Sequence, residues 1–236
     1  MNKPLHHYKM VYFDASDTLL TISTSKQILQ QYMAARSIFT DEDHIGELFA
    51  EAFRLFYYEK PLAAFEKCTP ESDRTFWVNL YKYVLDKLLV QETWTEEQIL
   101  VVCDELYDIY TSPEHYHLFD DVKACLERLT QKGIRLGIVS NFAPTLKAVL
   151  DSLGILAYFE HVIVSTEAGL EKPDPAIFTL AIELSGLKAS EILYVGDHEL
   201  NDIWAPSQVG MDAVQINRYQ PLLLKGIQTL HELFED

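Results

Sequence analysis

Residues 11–20 read VYFDASDTLL: an apolar approach of β-branched and aromatic types, a carboxylate at Asp14, a run of small polar residues, then two leucines. A carboxylate that closes a buried-looking run calls for a chemical reason, because burying a lone carboxylate is costly. Four later stretches share the apolar approach: RLGIVSN (135–141), HVIVS (161–165), EILYVGD (191–197) and DAVQIN (212–217). Each reads as a short strand. Helical patterns separate them. After Asp120 and Asp121, the residues Val122, Cys125, Leu126 and Leu129 recur at helical spacing, with an acidic start and Gly133 past the end. A second helix takes Asp174 as N-cap, Pro175 at its first position, the stripe Ile177, Leu180, Ala181 and Leu184, and Gly186 as its stop. Strands alternating with helices predict an α/β fold, a parallel sheet covered by helices on both faces.

Between about residues 24 and 115 the strand signal disappears. Three helical stripes replace it: Leu48, Ala52, Leu55 and Phe56; Trp77, Leu80, Tyr81, Val84, Leu85 and Leu88; Ile99, Val102, Cys103, Leu106 and Ile109. The expected organisation is a core domain from residues 1–22 and 114–236, with an all-helical domain at 23–113 inserted after strand 1, and Pro113 breaking the last helix. The aromatics of the insertion (Phe53, Phe56, Tyr57, Tyr58, Phe65, Phe76, Trp77, Tyr81, Tyr83) read as helix-bundle core.

The chain has 236 residues, 48% of them hydrophobic and 12% aromatic, enough apolar surface to offset the entropy of ordering. Acidic residues (36) outnumber basic ones (19), giving a formal charge of −17. A field of that sign repels phosphate backbones and anionic membranes, which argues against nucleic-acid and membrane partners. An anionic substrate would need local cations. No apolar run approaches the length of a membrane span, and MNKPLHHYKM lacks the hydrophobic region of a secretory signal. Cys68, Cys103 and Cys125 form an odd set without CxxC spacing, which fits a reducing cytoplasm. His6 and His7 read as surface residues. Monomer and homodimer both stay open.

In an open parallel sheet, ligands bind beyond the carboxyl ends of the strands. The first strand delivers Asp14 and Thr18 there, and the second delivers Ser140 and Asn141. Past the third come Glu167, Gly169 and Lys172; past the fourth, Gly196 and Asp197, with Asp202 five residues on. Each has an innocent reading as a turn acid, a helix cap or a surface charge. A nucleophile, hydroxyls, a lysine and an acidic pair at consecutive strand ends together point to a site.

These motifs resemble the haloacid dehalogenase-like (HAD) hydrolase superfamily, in the subgroup with a helical cap inserted after the first strand of a Rossmann-like core. FDASDTL is similar to the first motif, IVSN to the second, EKPDPAIF to the third and VGDHELND to the fourth, in the same order and spacing. The resemblance implies a phosphatase in which Asp14 attacks phosphorus and forms an aspartyl-phosphate that water hydrolyses. It implies Mg2+ held by Asp14, the backbone carbonyl of Ser16, Asp197 and Asp202. Lys172 would pair with Asp14 and the phosphoryl group, Ser140 and Thr18 would donate to phosphoryl oxygens, and Asn141 would line the phosphate site while orienting its loop. The substrate would be a small phosphorylated metabolite, with the cap supplying the specificity surface.

One position departs from the pattern. Most phosphatases of the family carry a second aspartate two residues after the nucleophile, as general acid and base; here Ser16 stands there, and Asp17 falls where the family has glycine. General acid–base assistance is worth about 10² to 10⁴ in rate, so its loss slows the reaction without abolishing it. His198 is the one nearby substitute acid, with an exposed loop histidine as its ordinary reading. Pro206 predicts that the helix after Asp202 starts late or is kinked. Competing readings are a 2-haloacid dehalogenase, disfavoured by the acidic pair; a phosphonate hydrolase using one of Lys60, Lys67 or Lys82; and a phosphate-binding regulatory protein with little turnover.

Overall fold

Parallel strands dominate the computed structural model, which describes residues 3–58, 67–88, 93–219 and 226–235. The chain divides into two compact units. The first comprises Met1–Thr21, Glu66–Thr69 and Tyr116–Asp236, and the second Ile22–Phe65 and Pro70–His115. Residues 66–69 thus group with the first unit, although the sequence pattern assigns them to the insertion.

The first unit is built on five strands, β1 (Met10–Phe13), β4 (Arg135–Ser140), β5 (His161–Val164), β6 (Ile192–Gly196) and β7 (Asp212–Gln215), in the order β5-β4-β1-β6-β7. Every neighbouring pair is parallel. The order reverses at β1, so the crevice between β4 and β6 opens where Asp14 leaves the sheet. Residues of both faces are buried: Tyr12, Val139 and Tyr194 on one, Val11, Phe13, Ile138 and Val195 on the other. That is why the strands read as near-continuous apolar runs. On the first of these faces α8 (Pro175–Ser185) packs Ile177, Phe178 and Ala181 against Tyr12 and Tyr194. Its start is as the sequence predicts, with Asp174 accepting from the Ala176 N–H at 2.9 Å, Pro175 at the first position and Gly186 in the left-handed conformation at the end.

Two local features go beyond the sequence reading. Asp121, at the acidic start of α5 (Val122–Gln131), makes no cap bond. Its carboxylate turns instead to the Arg218 guanidinium at 2.7 Å, a charge-assisted bond that outcompetes a neutral amide. A two-residue antiparallel pair, β2 (Leu20–Thr21) with β3 (His117–Leu118), was not legible from the sequence because two residues carry no period.

The second unit contains α1 (Ser25–Ala34), α2 (Glu42–Phe53), α3 (Pro70–Lys87) and α4 (Glu96–Tyr110). Thr95 and Gln98 form a reciprocal cap at the start of α4. The aromatics form a core ladder, with Phe53 edge-on to Trp77 and Tyr81 stacked on Tyr110. The stripe on α2 ends early: Leu55 lies in a wide π-type turn, Arg54–Tyr58, and is exposed. Phe65 and Lys60 lie outside the described residues. No helix among the described residues is long and apolar enough to cross a membrane.

Candidate active site

Asp14 follows β1 directly, and its N–H donates to the Val195 carbonyl at 2.9 Å, locking the turn to β6. Beyond it the chain reverses tightly, with Asp17 at φ 53°. An aspartate tolerates that left-handed conformation better than most side chains, because it can hydrogen-bond locally. Asp17 does so: its Oδ1 accepts from the Thr21 hydroxyl at 3.0 Å and the Tyr219 hydroxyl at 2.8 Å.

Lys172 is the hub. Its ammonium, 3% exposed, lies 2.9 Å from Asp14 Oδ1, 2.6 Å from Asp202 Oδ1 and 3.0 Å from the Tyr194 hydroxyl oxygen. An ammonium has three protons, so all three are committed. A phosphoryl group bound here would reach Lys172 by taking over one of these three bonds. Tyr194, missed from the sequence, donates in turn to the Val139 carbonyl at 2.7 Å. Its only sequence signal is a hydroxyl in the middle of an otherwise apolar strand.

The Asn141 side-chain oxygen accepts from the Lys172 N–H and its amide donates to the Lys172 carbonyl, both at 2.8 Å, so Asn141 positions the lysine's backbone. Ser140 faces Asp14 closely enough to offset part of the rise that burial imposes on its pKa, yet completes no hydrogen bond. The Thr18 hydroxyl is likewise buried without a partner. Buried hydroxyls are normally satisfied, so Ser140 beside Asp14 and Thr18 in the turn after it each keep a proton for a further acceptor.

Asp202 is fully buried; Lys172 takes one oxygen and the His198 N–H, at 2.9 Å, the other. Gly196 makes that close approach possible, since a Cβ there would lie 2.4 Å from Asp202 Cγ. The helix after Asp202, expected to start late or to be kinked, is preceded by a wide π-type segment, Glu199–Trp204, and becomes α-helical only at the short α9 (Ala205–Ser207), which contains Pro206. His198 is half-buried and caps this segment, its Nδ1 accepting from the Asn201 N–H at 3.2 Å, so it is not the exposed loop histidine expected. Burial, then the neighbouring Lys172 charge, lowers its pKa. Glu167 pairs with Lys147, so it does not join this cluster.

Carboxylate oxygens of Asp14, Asp197 and Asp202 lie within 4.8 Å of one another. One ammonium faces three carboxylates, leaving excess negative charge. Burial raises the pKa of Asp14, with Asp202 adding to the effect against the pull of Lys172. Burial and then the charges of Asp14 and Asp202 push Asp197 up to about 8. Burial alone would lower the Lys172 pKa, but Asp14 and Asp202 outweigh it and hold the value well above the ordinary one. Hard oxygen donors with unbalanced negative charge fit a small divalent cation.

A stability test follows from the sign of the Asp197 shift. Its folded pKa lies above the unfolded value, so its contribution to stability is full below about pH 4 and is lost as pH rises through about 8. A cation competes with those protons. Saturating Mg2+ is therefore expected to raise the melting temperature by roughly 5 °C at pH 8.5 and by almost nothing at pH 6. Equal shifts at both pH values in a thermal melt would place the ion elsewhere.

The geometry can be set beside known proteins. A family model described as a haloacid dehalogenase-like hydrolase matches residues 8–210. Haloacid dehalogenase-like hydrolase domain-containing protein 3 of Danio rerio is 29% identical over 213 residues, 89% of this chain and 85% of that protein. A phosphoglycolate phosphatase of Yersinia pseudotuberculosis is 36% identical over 121 residues, 50% of this chain and 52% of that protein. Among solved structures, a HAD phosphatase from Thermococcus onnurineus aligns with a TM-score of 0.61 at 25% identity, covering 95% of each chain.

Proposed function

The chain belongs to the haloacid dehalogenase-like hydrolases, and from that premise we propose that it is a magnesium-dependent phosphatase of small phosphorylated metabolites, acting through an aspartyl-phosphate on Asp14. The observation that carries this reading is the buried ring of Asp14, Lys172 and Asp202, with Asp197 beside it, at the point where the strand order reverses. Three carboxylates around one ammonium suit a cation and a transferring phosphoryl group; attack on the carbon of a haloacid calls for no such acidic cluster.

Lys172 holds Asp14 Oδ1 and so orients the carboxylate for in-line attack. Asp14 forms the new O–P bond as the ester oxygen leaves with its electron pair, and water then cleaves the acyl phosphate. The Thr18 and Ser140 hydroxyls donate to phosphoryl oxygens, which supplies the partners they lack. Asp14, Asp197, Asp202 and the Ser16 carbonyl would hold Mg2+, whose charge offsets the repulsion between nucleophile and phosphate. Three buried cysteines without CxxC spacing support a cytoplasmic setting.

No aspartate stands at position 16 to protonate the leaving oxygen, and Asp17 is held by Thr21 and Tyr219. Hydrolysis of p-nitrophenyl phosphate is therefore expected to require Mg2+, to stop on chelation, and to outpace that of alkyl esters. Ser16→Asp is expected to speed alkyl esters by about 10² or more, the usual worth of an added general acid. Rates independent of leaving-group pKa would show that another acid operates; no Mg2+-dependent phosphate release from any ester would remove the phosphatase reading.

A further inference from the structure

We propose that Arg218 is a positioning residue for phosphoryl binding, setting Thr18 through its main chain; the proposal rests on the phosphate-binding role given to Thr18 above. Arg218 lies three residues past β7 and is distant in sequence from every motif. Its Nε and Nη2 donate to the Thr18 carbonyl at 3.2 and 2.7 Å, while Nη1 meets Asp121 Oδ2 at 2.7 Å. The guanidinium stacks 4.3 Å from the centroid of Phe119. Asp121 Oδ2 accepts a further bond from the Leu230 N–H at 2.8 Å, anchoring the pair from the other side.

The arrangement needs a fork. Only a planar guanidinium can reach a carbonyl twice along one edge and a carboxylate along another while lying flat on a ring. What it grips is the backbone of the residue whose own hydroxyl is buried and unpartnered. Holding the carbonyl fixes the peptide plane on one side of Thr18, and with it the direction in which the hydroxyl is presented. A charge confined to fold stability needs no contact with this loop, since the bond to Asp121 already ties β7 to the start of α5.

The test reads inorganic phosphate binding to the full chain with Mg2+ present, by titration calorimetry, alongside thermal melting. Arg218→Lys keeps the charge beside Asp121 but not the fork, and is expected to weaken phosphate binding about tenfold, the scale of one charge-assisted hydrogen bond. In a Thr18→Val background the same change is expected to cost less than about twofold, because both act through one hydroxyl. Asp121→Asn is expected to lower the melting temperature while leaving phosphate affinity within about twofold, since the grip on Thr18 survives. Arg218→Gln, with a single amide donor for the carbonyl, takes the place of the lysine variant if that variant does not fold. Unchanged affinity in Arg218→Lys, equal losses with and without Thr18→Val, or an Asp121→Asn loss as large as that of Arg218→Lys would each overturn the proposal. So would a parent chain that binds no phosphate. A parent that binds phosphate but hydrolyses no ester leaves the proposal standing and removes only the phosphatase.

Discussion

Asp14→Asn is expected to cut phosphate release from p-nitrophenyl phosphate by about 10⁴-fold or more, since the proposed covalent intermediate forms on the Asp14 carboxylate. The fold should survive. The amide has the shape of the carboxylate, and its oxygen can keep the bond to Lys172, while the charge removed is one that burial and Asp202 already disfavour. A melting temperature equal to or above that of the parent, measured without metal, is the accompanying result. Turnover above about one per cent of the parent would place the nucleophile elsewhere. Melting well below the parent would instead mean that the Asp14 charge holds the fold together.

Lys172→Met is expected to have the largest effect on stability. The side chain keeps its length, but Asp14 and Asp202 are left as buried carboxylates without their counter-ion. Removing one partner of a buried ion pair typically costs about 3–5 kcal/mol, which for a chain of this size lowers the melting temperature by roughly 10 °C. Hydrolysis should vanish with it. Adding Asp202→Asn removes one of the stranded charges and is expected to restore part of the stability and none of the turnover. If the single variant melts like the parent, the ring around Lys172 is not the electrostatic centre described here.

The strands and the helix α8 were legible because both faces of the sheet are buried and the caps obey local chemistry: Asp174, Pro175 and Gly186 each act within a few residues of themselves. Residues leaving the strands were legible for a related reason, since a parallel sheet presents its strand ends on one edge. What escaped acts through space. Tyr194 reads as one more apolar strand residue until its hydroxyl meets Lys172, 22 residues away in sequence. Arg218 reaches back 200 residues to Thr18. Asp121 stands at the acidic start of α5, yet its carboxylate is taken by a tertiary partner, Arg218. The clamp of Asn141 on the Lys172 backbone depends on a turn that no periodicity encodes.

The hollow beside Gly196 has a bearing on how this scaffold can be re-engineered. Asp202 occupies the volume that any other residue at 196 would claim, so even one methyl group there would evict the carboxylate from its place against Lys172. Libraries aimed at new substrates should therefore hold this position constant and draw their diversity from loops that do not share its space. A codon randomised at 196 would fill a screen with inactive clones, whatever chemistry was sought.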